Sequence, residues 1–311
     1  MAGSAATYVS SSESVGRPRP RRVMWLFVFG IVLGLGLIVR WWWNLVPPLQ
    51  DLTEYQMPLN HLILVPSPPP EVPQDLVSRI QQRVGLTSYP FLDPQLVKRV
   101  AQWLQHEPWI EHVVEVRKQY PLKVVARVVY RRPIALIRTG ERSHPIDRLG
   151  VVLPIEDVTG EQLSRLMIVV GVTSESPGEG KCWEDPAVQA AVELAAFLEP
   201  RWTALKLKWI HVRTGAETDE TPAPVWLELE TIDGSRIVWG LPPSQRTKQE
   251  ISAEEKVQRL EKYLATFGSY DRPQGPYALD IRLAGEIRRW PREPARRAEV
   301  LARPNQERQH R

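Results

Sequence analysis

The sequence has little of the chemistry that enzymes and metalloproteins use. Its 311 residues include one cysteine, Cys182, so no internal disulfide can form, and the neighbouring GEGKCWEDP supplies no base for a nucleophilic thiol. The histidines stand at 61, 106, 112, 144, 211 and 310, without the H-x-x-x-H spacing of a zinc site. Nucleotide-binding and G-x-S-x-G motifs are also absent. We therefore expect a protein that is not an enzyme and has no catalytic residue, metal site, cofactor or small-molecule substrate.

A strongly basic domain is missing as well. The formal net charge is only +4, and much of the basic excess lies near the two ends of the chain. In the last 26 residues, 286–311, arginines alternate with Glu and Pro, which is typical of a solvated, disordered tail. We therefore expect a basic disordered tail over 286–311 and no nucleic-acid partner.

The longest uncharged run is Val23–Val39, seventeen residues that continue past Arg40 into a tryptophan triplet. At about 1.5 Å per residue, a helix over this run is just long enough for a hydrocarbon core of about 30 Å. Trp41, Trp42 and Trp43 suit the headgroup layer, where an apolar ring with a polar N–H is well placed. The sequence predicts a transmembrane helix with its interfacial belt over 23–46, in contact with the lipid bilayer.

The charges that flank this helix predict its orientation. Basic residues crowd its N-terminal side, which favours a cytoplasmic N-terminus, namely Arg17, Arg19, Arg21 and Arg22. We expect a cytoplasmic tail over 1–22 and an extracytoplasmic remainder, a single-pass type II arrangement. The alternative is a cleaved signal peptide, but its apolar region would be shorter and would end in small residues. Gly30 and Gly34 form a G-x-x-x-G pair that could allow another helix to approach.

A first folded unit is predicted over 59–132, after a proline-rich linker over 47–58. The chain shows a strand, two amphipathic helices and two more strands. Gly85 is a natural end for the first helix, and Asp93 with Pro94 is a natural start for the second. The predicted segments are Leu59–Val65, a helix from Leu76 to Val84, a helix from Asp93 to before Pro108, Ile110–Tyr120 and Leu122–Tyr130.

A second, mostly antiparallel β unit is predicted over 133–285, with helices packed on one side. The turn Asp147 to Gly150 has Asp first and Gly fourth, and Asp233-Gly234 suits a two-residue type I′ hairpin. Asp185 with Pro186 opens one helix, and a capping box of Ser252 and Glu255 opens another. The predicted strands are Ile134–Arg138, Val151–Leu153, Leu166–Val172, the hairpin Val225–Trp239 and Tyr277–Leu283. The chain as a whole is therefore predicted to be α+β.

Two stretches of the sequence have the pattern of a known family: PWIEHVVEVRKQYPLKVVARVVYRRPIAL (108–136) and HPIDRLGVVLP (144–154). They resemble the FtsQ/DivIB family of bacterial cell-division proteins. The matching positions in its PW[IV]..V, V.R..P, R.PIA and D..G elements include Pro108, Trp109, Arg117, Pro121, Arg131, Pro133, Asp147 and Gly150. The resemblance covers nearly the whole chain outside the tails, and the basic tail is not part of it. It implies that 59–132 is a POTRA domain and 133–285 the FtsQ/DivIB-type β domain.

The resemblance also implies a function. Such proteins are scaffolds of the cytoplasmic (inner) membrane at the division site, where they join other single-pass division proteins of the FtsB and FtsL kind. They help to regulate septal peptidoglycan synthesis. If the predicted last strand leaves its edge unpaired, a partner could add a strand to it by β-augmentation. The candidate partner-binding residues are Tyr277, Leu279, Ile281, Arg282 and Leu283, with Trp239 nearby.

Two other functions compete with this interpretation. A POTRA-containing factor for envelope protein assembly or secretion is one alternative, but such proteins usually carry several POTRA repeats before a membrane barrel. A membrane-anchored wall hydrolase is another, and it would need a convergent set of carboxylates or a metal site. Tyr277–Leu283 could also be ordinary sheet core.

Overall fold

Residues 20–45, 53–215, 224–245 and 247–292 are described by a computed structural model of the chain. They divide into two compact units. One unit contains residues 20–45, 53–56 and 90–92, and the other contains the rest of the described chain. The predicted POTRA and β domains fall largely within this second unit, and the boundary at residues 132 and 133 remains a prediction.

The first unit contains one long helix, α1, which spans Pro20–Leu45. Its window Trp25–Trp42 has a mean hydropathy of 1.9, so the helix is long and apolar enough to cross a membrane. Trp41 and Trp42 are exposed, as a membrane-facing belt requires. Arg21, Arg22 and Trp43 lie within α1, while Arg17 and Arg19 lie outside the described residues.

The remaining elements follow in chain order. The helices are α2 (Leu76–Val84), α3 (Leu96–Gln105), α4 (Gly160–Arg165), α5 (Pro186–Leu198) and α6 (Ala253–Phe267). The strands are β1 (Gln56–Pro58), β2 (Leu62–Val65), β3 (Ser88–Pro90), β4 (Ile110–Gln119), β5 (Lys123–Tyr130), β6 (Pro133–Thr139), β7 (Arg142–Asp147), β8 (Met167–Val170), β9 (Leu207–Thr214), β10 (Val225–Thr231), β11 (Arg236–Gly240), β12 (Tyr277–Asp280) and β13 (Arg288–Pro291).

A three-stranded sheet contains β2, β5 and β4 in that spatial order. β2 runs parallel to the central strand β5, and β4 runs antiparallel to it. α3 packs on β4, and the buried side chains of α2 and α3 include Ile80, Val100 and Leu104. Along the chain, β2, α2, α3, β4 and β5 follow one another in the predicted order, and the short β3 lies between the two helices.

The second sheet has eight strands in the order β13-β12-β11-β10-β9-β8-β6-β7. Four neighbouring pairs are antiparallel, and three pairs, β6 with β8, β8 with β9 and β11 with β12, are parallel. The α+β class is confirmed, and the large sheet is mixed.

The core of this sheet lies under α5 and α6. Val188 and Leu194 of α5 and Leu260 of α6 belong to the same buried cluster as the inward side chains of the strands. Asp185 caps α5, and the capping box of Ser252 and Glu255 opens α6, as the sequence predicted. These caps fix where each helix begins, so the apolar face of each helix meets the sheet.

The hairpin between β10 and β11 differs from its prediction. Only Gly234 of the expected Asp233-Gly234 pair has a positive φ, 87°. Thr231 N donates to Ser235 O at 3.0 Å, and Gly234 N donates to Thr231 O at 3.1 Å. A three-residue loop with a left-handed glycine therefore replaces the type I′ turn, because this geometry needs positive φ only at glycine.

The prediction of a strand over Val151–Leu153 is also wrong. These residues form only isolated bridges, to Ile146 and Cys182, while β7 before the turn pairs with β6. β7 has the sequence RSHPID, whose polar residues and proline hide it from a search for alternating apolar side chains.

Two elements begin later than predicted. Leu59–His61 is a single 3₁₀ turn, so β2 starts at Leu62. α3 starts at Leu96 rather than directly after Asp93, whose side chain accepts a hydrogen bond from Gln95 N at 2.8 Å in the preceding turn. Pro58 directly precedes the first turn and Pro94 lies within the second, and the fixed φ of proline suits such turns.

Gly171 is expected to be intolerant of a side chain. Its φ is +95°, and an added Cβ would collide with the backbone oxygen of Val212 on β9. Gly178 also has φ +95° but has open space around it. We expect Gly171→Ala to lower the free energy of unfolding by about 3 kcal/mol and Gly178→Ala by about 1 kcal/mol. Urea unfolding measures both, and equal losses would contradict the close approach to β9.

Candidate partner-binding edge of the large sheet

The predicted last strand does not end the sheet. β12 pairs on one side with β11, Ile237 lying opposite Leu279, and on the other side with β13. In the antiparallel pair with β13, Tyr277 lies opposite Pro291 and Asp280 opposite Arg288. The expected unpaired edge is therefore wrong, because residues assigned to the basic tail form one more strand.

Most of the predicted partner-binding side chains lie in the core. Tyr277 is 8% exposed, and Leu279, Ile281 and Trp239 are each 0% exposed. Leu283, which follows β12, is 40% exposed. The structure thus brings the β12 residues and Trp239 together, but as core, so a partner at this end of the sheet would meet backbone and the exposed residues around it.

The residues that sequence reasoning missed are those of β13. All four of its residues are exposed. The signal that could have revealed them is a pair of bulky residues in the basic run: Ile287, which packs against the core, and Trp290. Gly285, with φ +99°, supplies the turn before them.

Three arginines hold this end of the sheet. The guanidinium carbon of Arg289 lies 5.5 Å from the ring centroids of both Phe267 and Tyr277. Arg292 donates to Gly234 O at 2.8 Å, and Arg259 donates to the carbonyl oxygens of Leu283 and Gly285. β13 is therefore attached by backbone pairing, by arginine contacts on both sides and by the Ile287 side chain that precedes it. We call the outer edge of β12 (Tyr277–Asp280), together with the Phe267 ring, the acceptor edge.

A polar pair lies at the end of the acceptor edge. Arg282 donates to both carboxylate oxygens of Asp280, at 3.0 and 2.8 Å. The side-chain hydrogen bond from Arg282 is the main cause that holds the pKa of Asp280 below its ordinary value.

This pair predicts a pH dependence. Because the folded pKa of Asp280 is lowered, its contribution is complete above the unfolded value, about 3.9, and is lost as pH falls through the folded value. We expect the free energy of unfolding of Arg282→Gln to be about 1 kcal/mol below that of wild type at pH 7. This stability difference, called the gap, narrows below about pH 4. Thermal unfolding at pH 7 and pH 3 measures the gap.

Arg165→Gln breaks the exposed pair with Glu161 and serves as the control, with no expected gap. A gap for Arg282→Gln that is equal at both pH values would contradict the assignment.

The motif residues form a second cluster, distant in sequence from the acceptor edge. Trp109 is 0% exposed, and its Nε1 donates to Asp157 at 2.7 Å. Arg79 of α2 donates to the same carboxylate oxygen at 2.6 Å. These bonds tie the segment 59–132 to the turn at Ile155–Asp157. The indole of Trp109 and the carboxylate of Asp157 are both buried, which makes their bond costly to break, whereas the Arg79 side chain is 34% exposed.

A second set of bonds reinforces this connection. Arg131 lies 2.6 Å from Asp147, which is 1% exposed, and the other oxygen of Asp147 accepts from Leu149 N and Val151 N. Gly150 ends this turn with φ +78°. The contacts Trp109–Asp157, Arg79–Asp157 and Arg131–Asp147 are called the joint below.

The other motif residues have structural positions. Arg131 N donates to Trp109 O at 2.8 Å, which links two of the motifs directly. Pro133 begins β6, Arg117 lies on β4 opposite Val125, and Pro121 lies in the turn between β4 and β5. Pro108 directly precedes Trp109 before β4 begins. The family motif is therefore made of residues that form and surround the joint, and it does not mark a reactive site.

The structure thus defines an α+β protein with one N-terminal helix long and apolar enough to cross a membrane, followed by a three-stranded sheet and a mixed eight-stranded sheet. No protein-family model and no curated protein matches the chain. Among the described residues, no group of three or more His, Cys, Asp or Glu side chains is placed to hold a metal ion.

Proposed function

We propose that this protein is a non-enzymatic scaffold of the cytoplasmic membrane that binds other single-pass division proteins through its extracytoplasmic domain and helps to regulate septal peptidoglycan synthesis. The observation that carries the proposal is the end of the large sheet. There the edge of β12 accepts an added antiparallel strand, β13, whose four residues are all exposed. A partner segment could use the same backbone chemistry.

The membrane arrangement supports this proposal. α1 precedes the folded unit, and the arginines on its N-terminal side favour a cytoplasmic N-terminus. The succession of strand, helix, helix, strand and strand supports a POTRA domain over 59–132, and the eight-stranded sheet supports a partner-binding β domain over 133–285. The expected partners are division proteins of the FtsB and FtsL kind.

Site-specific photo-crosslinking in living cells tests the partner and the place together. A photoreactive residue at position 283 follows the acceptor edge, and one at position 226 lies on β10 of the same sheet; both native side chains are 40% exposed. We expect an adduct with an FtsB-like or FtsL-like protein from position 283 and none from position 226. Adducts only with outer-membrane assembly or secretion proteins would favour the alternative function, and equal adducts from both positions would contradict binding at this edge.

A further inference from the structure

We infer that the acceptor edge is an exchangeable strand-binding site that selects an extended segment carrying a guanidinium group, and that β13 is the occupant supplied by the chain itself. The inference rests on the proposed function, because a partner strand that adds at this edge would take the place of β13. β13 is then the competitor of the partner strand, and the guanidinium group is the side chain that the edge recognises.

β13 itself buries little side-chain surface, so its four residues can leave the sheet with little change to the core. It is a four-residue strand at the end of the sheet, and all its residues are exposed. β12 carries Leu279 within the core, with 0% exposure, and is paired on its other side with β11. A short edge strand with few buried apolar contacts opens at a small fraction of the global stability. Loss of β13 would therefore leave β12 in place with a free edge.

The acceptor edge also has a chemical preference. Arg289 lies opposite Leu279, and its guanidinium carbon is 5.5 Å from the ring centroids of both Phe267 and Tyr277. Two aromatic faces attract a planar cation and offer nothing comparable to a carboxylate. Asp280 adds less, because Arg282 already neutralises it. The preferred partner is thus an extended segment with Arg at the position of Arg289.

The chain offers a direct test. Its one cysteine, Cys182, is exposed and can be replaced by Ser, so two introduced cysteines become the only thiols. Ala278 and Trp290 lie opposite each other in the register, so Ala278→Cys with Trp290→Cys can lock β13 onto β12 when oxidised. The probe is a fluorescent peptide of residues 286–292, EIRRWPR, whose binding to the full chain in detergent is followed by anisotropy.

Three comparisons decide the inference. The Arg289→Glu chain, whose own strand lacks the cation, should bind the peptide at least tenfold more tightly than the parent. The oxidised cysteine variant should bind it at least tenfold more weakly than its reduced form. A peptide with Arg289→Glu should bind at least tenfold more weakly than EIRRWPR.

Equal binding by the oxidised and reduced forms would overturn the inference, because the peptide would then bind elsewhere. Absence of binding to both the Arg289→Glu chain and the reduced variant would overturn it as well. If Arg289→Glu does not fold, as judged by circular dichroism, the oxidised and reduced forms decide alone. If the peptide binds as expected but position 283 gives no adduct with a division protein, the proposed function is contradicted and the strand-binding site is still supported.

Discussion

Leu279→Glu is expected to lower the free energy of unfolding by more than about 4 kcal/mol, enough to abolish a stable large sheet. Leu279 is 0% exposed and lies in the core cluster on β12, between β11 and β13. An ionised carboxylate there loses its hydration and gains no partner, so the residue must either protonate or unfold its surroundings. Urea unfolding followed by circular dichroism measures the loss.

Leu283→Glu is the matched control, since Leu283 lies four residues further along and is 40% exposed. We expect it to change stability by about 0.5 kcal/mol or less. Leu279→Glu folding with near wild-type stability would contradict the placement of the Leu279 side chain in the core. Leu279→Glu therefore cannot be used to measure partner binding, because it removes the fold that carries the edge.

Trp109→Ala is the second change with a large expected effect, a loss of about 3–5 kcal/mol. The indole is fully buried, and its Nε1 donates to Asp157 in the joint. Truncation leaves a large cavity and removes one donor from a carboxylate that is 4% exposed. Trp109→Phe keeps most of the ring volume and is expected to lose about 1–3 kcal/mol, chiefly for the missing hydrogen bond.

Trp226→Ala serves as the control for this series, because Trp226 is 40% exposed on β10. We expect a loss of about 1 kcal/mol or less. Thermal and urea unfolding of all three variants gives the ranking. If Trp109→Ala were no more harmful than Trp226→Ala, the joint would not stabilise the connection between the segments on either side of residue 133.

The elements that the sequence predicted well carry local signals. α5 and α6 have their capping residues beside a run of apolar side chains, and α2 ends at Gly85 with φ +69°. β4 and β5 have enough apolar residues to be recognised. In each case the residues that define the element are neighbours in sequence, so no knowledge of tertiary contacts is needed.

The candidate site could not be predicted in the same way. From its sequence alone, β13 resembles a solvated basic tail. Its stabilising contacts are made with distant segments: Arg289 contacts Phe267, 22 residues away, and Arg292 contacts Gly234, 58 residues away. Whether β12 is an edge or an interior strand depends on that distant pairing. Its apolar residues are compatible with both positions, so the sequence alone left both open, and the structure pairs that edge with β13.

The motif residues illustrate a different limit. Their pattern suggested a family and therefore a function, yet the structure places Trp109, Arg131 and Asp147 in contacts that hold the fold together. The residues that would meet a partner at the acceptor edge, such as Arg289, lie outside the motif. A family resemblance that rests on the joint thus supports the architecture more directly than it supports the partner.

The measurement that tests the central claim most directly is the position of a fluorescent fusion to the N-terminus in dividing cells, scored together with depletion of the protein in the same strain. The scaffold function predicts enrichment at the constriction and filamentous cells after depletion. A uniform envelope signal with normal division would contradict it, and would move the same fold to a role in envelope assembly.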